Sequence, residues 1–195
     1  MTLYEDVDSV LAEFDHADEE QRALSRRYRE FVSSDENTIW RTSRAGHITA
    51  SALVIDAAQS RVLLTLHPKV GRWLQLGGHL ESDDSTLLEA ALREVREESG
   101  IDRGSIRRRP LRLDMHDVPC GRDARGNPLA SVHWDVQFLV VVPSAVDVVI
   151  SDESDDLAWF STEELPDIDA SVAALVCDAE LAMRQSEAQQ WVTFG

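Results

Sequence analysis

Apolar positions change their period several times along the chain. In residues 3–16, Leu3, Val7, Val10, Leu11 and Phe14 recur at helical spacing. Asp18 is placed to cap a second helix, with Gln21 set for a capping box. That helix runs to about Val32 and carries Leu24, Tyr28 and Phe31 on one stripe; residues 33–37 are a polar break. From Gly46 the texture becomes strand-like. Residues 47–56 and 61–68 are apolar runs on either side of a turn near residues 57–60, and residues 73–78 form a short strand ending in a double glycine. Residues 86–99 return to helical spacing, from an N-cap at Thr86 with Glu89 at the third position to a stop at Gly100. Next come a strand over 109–118, a turn-rich loop over 120–128 and a long strand over 131–142, the last apolar enough to be central. A short strand at 157–161 and a helix over 168–188 complete the pattern. Strands in the middle with helices between and around them predict an α/β (α+β) sandwich rather than a regular βαβ winding.

At 195 residues the length suits one domain with an appendage. Residues 1–44 are expected to be a helical hairpin packed on the rest of the chain, either structural or shaping the rim of a site. Residues 45–165 are the sheet-bearing domain, and 166–195 a C-terminal helix packed on it. Acidic residues number 36 against 19 basic ones, a net charge of −17. That balance excludes a general DNA or RNA binder, which needs a basic footprint, and disfavours an anionic membrane surface. No apolar run is long enough to span a bilayer. A phosphate-rich substrate would be repelled unless cations intervene. The acidic opening MTLYEDVDSV lacks an apolar signal region, and Cys120 and Cys177 have neither disulfide-framework nor zinc-site spacing. Two reduced thiols in a cytoplasmic protein are expected.

The chemistry concentrates on the helix over 86–99. At 100° per residue with Glu94 at zero, Glu97 falls at about 300° and Glu98 at about 40°. Three carboxylates thus share one arc, beside a face on which Leu88, Ala91, Leu92 and Val95 are expected to be buried. Like charges at that spacing repel by a few tenths of a kcal/mol per pair. A cation between them reverses the sign. Hard oxygen ligands suit magnesium or manganese, and the absence of a His/Cys ligand spacing argues against zinc. The Gly77–Gly78 turn upstream lets backbone approach a metal or phosphate closely.

The run Arg93-Glu94-Val95-Arg96-Glu97-Glu98-Ser99-Gly100-Ile101 resembles the signature of the Nudix hydrolases at every fixed position. The resemblance covers roughly residues 46–165, with Trp73-Leu74 and Trp159-Phe160 as agreeing flanks. It implies a Nudix-type α/β/α sandwich with a mixed central sheet. It implies divalent-metal-dependent hydrolysis of a nucleoside diphosphate linked to another moiety, with Glu94, Glu97, Glu98 and the Gly77 carbonyl as ligands for Mg2+ or Mn2+. Glu94 would be a candidate base, and Arg93 would orient the carboxylates. One departure is visible: Gly78 to Arg93 is one residue longer than the family spacing, so Asp84 or Glu81 stands where the upstream motif glutamate would be.

Other candidates lie outside the signature. Glu153, in a late loop, is a further metal-ligand candidate. His116, His133 and Asp135 are expected on neighbouring strands, where they could contact phosphate or simply form ordinary cross-strand polar pairs, the commoner case; Gly78 is a further substrate-binding candidate. Trp73 and Trp134 could stack a base or belong to the core. Arg107, Arg108, Arg109 and Arg112 could bind phosphate or protect a strand edge. The partner implied is a small nucleoside diphosphate derivative, with a homodimer as a further expectation. Two competitors remain: an isomerase of the isopentenyl diphosphate type, which would need a reactive cysteine such as Cys120, and a non-catalytic nucleotide-binding regulator.

Overall fold

The structure is a computed structural model; it describes all residues except 57, 59, 69, 123–127, 145, 152–153 and 186–189, and not the side chains of 119–122 and 128–130. Helix α1 spans Leu3–Glu13 and α2 Glu19–Ser34, with a 3-10 turn at Glu36–Ile39 after them. The strands are β1 (His47–Asp56), β2 (Arg61–His67), β3 (Arg72–Leu74), β4 (Leu76–His79), β5 (Gly104–Arg107), β6 (Arg112–Arg122), β7 (Pro128–Val141), β8 (Asp156–Ser161) and β9 (Trp191–Phe194). Helix α3 covers Leu87–Ser99 and α4 Ala170–Arg184. The sheet runs β3-β2-β1-β7-β5-β9, with β4 also on β1, β6 on β7 and β8 on β2. β1 and β7 pair in parallel and the other pairs are antiparallel.

Strand alternation sorts the core onto two faces. Ile48, Ala50, Ala52 and Val54 of β1 join Trp134, Val136, Phe138 and Val140 of β7 in a core with α1, α2 and α3. Leu53, Ile55 and Leu139 face the other way, under Val172, Leu175, Val176 and Ala179 of α4. The result is the expected α/β/α layering on a mixed sheet. Earlier on the α4 face the alternate positions turn polar: His47, Thr49 and Ser51 on β1, and His133, Asp135 and Gln137 on β7. One face is therefore apolar under α4 and polar beyond it.

The N-terminal helices are joined to this core by more than apolar contact. Tyr28 is fully buried, and its hydroxyl reaches the carbonyls of Asp114 and Asp135, bridging β6 and β7. Gln21 does not complete a capping box. Its buried amide donates to the Leu113 carbonyl and accepts from the Leu113 N–H, satisfying the outer backbone of β6. Asp18 caps α2 alone, through Glu20 N. The capping box in this region is at α1, between Thr2 and Glu5. Asp6, also buried, accepts from Leu87 N at 2.8 Å, so α1 supplies an anion to the first turn of α3.

Several expectations are corrected. Residues 73–78 are not one strand: the chain breaks at Gln75, so that β3 can pair β2 while β4 pairs β1. β5 and β9 carry no sequence signal because each is four residues long with little alternation; they pair with one another, β5 also with β7. Pro128 opens β7 rather than closing a loop, a first-residue position where its missing N–H is tolerated. On α3, Leu87 and Ala90 are fully buried at about 20° and 320° on the same wheel. Ala91, Leu92 and Val95 are buried as expected and Leu88 only partly, so the buried arc is wider than expected and reaches round to the carboxylate side. The carboxylates share that side two turns beyond Leu87, where the helix reaches the end of β4.

Candidate active site

Thr86 caps α3 through Glu89 N at 3.1 Å, and Gly100, at φ +69°, ends it. Between them α3 holds Arg93, Glu94 and Glu98 against the Gly77-Gly78-His79 segment of β4, with Glu97 more exposed beside Arg93. Gly77 is paired with Ser51 of β1, and a Cβ there would collide with Ser51. A Cβ on Gly78 would stand 2.6 Å from a Glu94 carboxylate oxygen. Both glycines are thus required by close approach, one to β1 and one to α3. The Gly77 N–H donates to Glu98 at 3.2 Å.

Arg93 organises the carboxylates. Its Nε and Nη2 donate to the two oxygens of Asp84, each at 3.0 Å, and Nη2 also donates to the His79 carbonyl at 2.8 Å. Nη1 donates to Glu94 at 2.8 Å and Glu97 at 3.0 Å. This fork-to-fork pairing is the geometry guanidinium offers a carboxylate, and it holds the Arg93 proton far more tightly than usual, chiefly through the hydrogen bonds to Asp84. The upstream acid in contact with Arg93 is therefore Asp84, which also accepts from Glu81 N at 2.8 Å and so folds the inserted loop around itself. Glu94 is 12% exposed and Glu97 58% exposed. Three carboxylates, of Asp84, Glu94 and Glu97, meet one guanidinium, and Glu98 sits beside them on Gly77 N–H; such oxygen donors suit a hard divalent cation such as magnesium or manganese.

The polar half of the other sheet face meets the glycine segment through the Ser51–Gly77 pair. Asp135 is buried, and its carboxylate accepts from Thr49 at 2.9 Å, Ser51 at 2.6 Å and Gln75 at 3.2 Å. Burial raises its pKa against the opposing effect of these bonds. β6 and β7 are neighbours as expected, with His116 opposite His133 and Asp114 opposite Asp135. His116 contacts Asp114 at 2.6 Å, which raises its pKa. His133 meets two histidines that the sequence pattern does not single out, His47 of β1 and His79 of β4. Ring centroids are 4.8 Å apart for His47–His133, 5.0 Å for His47–His79 and 5.2 Å for His79–His133. Desolvation holds His47 down at about 4 and His133 at about 3.

The remaining candidates are spread elsewhere. Trp73 packs edge-on against Phe160, centroids 4.7 Å apart, over the core beneath α4. Trp134 stacks on Phe31 and belongs to the core under α2. Arg112 pairs with Asp178 at 2.6 Å and Arg109 with Glu13 at 3.7 Å. Glu153 lies outside the described residues, as does the Cys120 side chain; Cys177 is a free, exposed thiol. A sequence signal for His47 and His79 exists in the alternation: each falls in step with Ser51 or Gly77 along its strand.

Comparison with known proteins gives the family. The NUDIX domain model matches residues 46–187. The chain belongs to the Nudix hydrolase family. Among solved structures, a NUDIX-family hydrolase from Clostridium perfringens is 23% identical, with a TM-score of 0.48 over 74% of this chain and 99% of that one. The NUDIX domain of Shewanella oneidensis NrtR, complexed with ADP ribose, is 20% identical, with a TM-score of 0.49 over 79% and 97%. A C. elegans Ap4A hydrolase is 20% identical, with a TM-score of 0.47 over 71% and 98%. No curated protein matches the sequence. No helix among the described residues is long and apolar enough to cross a membrane.

Proposed function

We propose that the protein hydrolyses the diphosphate of a nucleoside diphosphate linked to another moiety, giving a nucleoside monophosphate and the phosphorylated remainder. The observation that carries this reading is the seating of Glu94 and Glu98 on the Gly77–Gly78 backbone with Arg93 fixing Glu94 from behind. Glu94, Glu97, Glu98 and the Gly77 carbonyl would hold Mg2+ or Mn2+, with Glu153 as a further candidate. A bound divalent ion neutralises diphosphate charge and lowers the pKa of a coordinated water. Arg93 does not touch substrate in this reading. It spends its donors on Asp84, the His79 carbonyl, Glu94 and Glu97, and so holds the carboxylates convergent against their mutual repulsion. Glu94 is the candidate acceptor for the proton of the attacking water. Gly78 lets the Glu94 carboxylate close on the β4 backbone, and His116 and His133 are the candidates for phosphate contact from β6 and β7. Asp135 is a positioning residue, since its oxygens are used by Thr49, Ser51 and Gln75. Trp73 is not used, because its ring is packed on Phe160.

The test is a panel of nucleotide sugars, ADP-ribose, dinucleoside polyphosphates, coenzyme A and NADH, with magnesium and with manganese, products resolved by chromatography. Turnover of at least one, abolished by chelator and restored by either ion, is expected. Full hydrolysis in excess chelator would move the site away from α3.

A further inference from the structure

We propose that His47, His79 and His133 form a second metal site, distinct from the carboxylates of α3, for a borderline divalent ion of the zinc or cobalt kind. One ring nitrogen from each lies within 4.8 Å of the others. The three come from adjacent strands: His47 is opposite His133 in the parallel β1–β7 pair, and His79 is opposite Thr49 in the β1–β4 pair. Backbone register thus brings them together, rather than chance convergence of long surface side chains. His47 is 0% exposed, yet neither of its ring nitrogens has a hydrogen-bond partner among the described residues, and the same holds for Nε2 of His133. A buried polar atom without a partner costs about 1–3 kcal/mol. A sheet that buries one beside two further imidazoles is explained if an ion takes the lone pairs.

The donor set decides the ion. Three imidazole nitrogens suit zinc, cobalt, nickel or copper and do not suit magnesium, which demands oxygen. Tetrahedral coordination at about 2.0 Å places nitrogens about 3.3 Å apart, so the rings close by about 1.5 Å at most, within reach of side-chain rotation. His79 and His133 are only partly buried, which leaves the fourth position open on that side. His79 is two residues beyond Gly77, and its carbonyl is held by Arg93. An ion here ties β1, β4 and β7 together at the end where β4 meets the acidic helix.

The experiment uses the full chain without a histidine tag and reads metal binding, not hydrolysis. Zinc is titrated calorimetrically in saturating magnesium, and the cobalt form is examined for tetrahedral d–d absorption. One equivalent is expected. His79→Asn and His133→Asn, both at partly exposed positions, should weaken it by more than about 10²-fold, beyond the usual cost of changes outside the ligands themselves. Glu98→Gln should leave it intact. X-ray absorption of the zinc-loaded wild type gives a readout independent of variant folding: three imidazoles are expected in the scattering pattern. The proposal is overturned by no zinc binding in saturating magnesium, by binding lost in Glu98→Gln and kept in the histidine variants, or by an oxygen-only shell. None of these results bears on whether the α3 carboxylates support hydrolysis.

Discussion

Replacing Arg93 by lysine keeps a positive charge and removes a fork. Arginine here makes five hydrogen bonds from three nitrogens to Asp84, the His79 carbonyl, Glu94 and Glu97. A lysine ammonium has three donors radiating from one point and cannot grip both oxygens of Asp84 while reaching Glu94. The Asp84 side chain is only 5% exposed, so a lost partner there is not replaced freely by water. The arm to Glu97, at 58% exposure, contributes little. Two charge-assisted bonds to Asp84 at roughly 1.5–3 kcal/mol each, with about half recovered by the ammonium, leave a net loss of about 1.5–3 kcal/mol. For a chain of this length that lowers Tm by roughly 3–12 °C. Calorimetric melts of wild type, Arg93→Lys, Asp84→Asn and the double variant, in chelator, should give a coupling energy above about 1 kcal/mol. With magnesium restored, kcat should fall roughly 10- to 100-fold through displaced carboxylates, with KM little changed. A lysine variant melting within about 1 °C of wild type would refute the reasoning, because the clamp would then hold nothing.

Glu98→Gln removes a carboxylate seated on Gly77 and should lower turnover roughly 10²-fold or more, while Glu89→Gln, whose side chain bonds Ser85 N on another face, should cost at most about 1 kcal/mol and leave kcat nearly intact; equal losses in parallel steady-state assays would contradict the arrangement. Asp6→Ala leaves Leu87 N without its acceptor and should cost about 1–3 kcal/mol, read in urea melts, with Asp6→Asn costing less. Burial raises the Asp6 pKa above its ordinary 3.8, so the folded state binds the proton more readily than the unfolded one. Its ionisation therefore lowers stability as pH rises from that ordinary value through the folded pKa, and Asp6→Asn should remove this slope from stability measured against pH. Deleting residues 1–44 removes Leu3, Val7, Leu11, Tyr28 and Val32 from the shared core, so the truncated chain is expected to be insoluble or to lack a cooperative melt; a soluble truncation with wild-type Tm would show those helices to be an accessory.

The acidic part of the site is legible because Glu94, Glu97 and Glu98 share one helix, where spacing in sequence is spacing on a surface. Asp84 and Glu81 stand level in the sequence because a loop has no period, and only the fold shows which acid turns toward Arg93. His47, His79 and His133 are separated by 32 and then 54 residues, and only the β1–β4 and β1–β7 registers bring them together. The same limit explains Asp6 and Gln21: amphipathic spacing places the helices, yet which polar side chain meets a backbone N–H on another element depends on docking. The sandwich is readable from β1, β2, β7 and α3, whose apolar patterns are long. β5 and β9 are too short to carry a period and exist by pairing.

The parallel register of β1 with β7 sets an order of events during synthesis. His47 and His133 are 86 residues apart, and Asp6 waits a comparable length for Leu87. At about 5–20 residues per second, β7 emerges from the ribosome roughly 4–17 s after β1. In that interval β1 can pair with β2 and β4, but its other edge has no partner, and Ile48, Ala50, Ala52 and Val54 lack most of their cover. Such an edge invites pairing with another chain. A holding chaperone should therefore raise the yield of folded protein more than a stabilising surface substitution would, since the exposure ends only when residues 128–141 arrive.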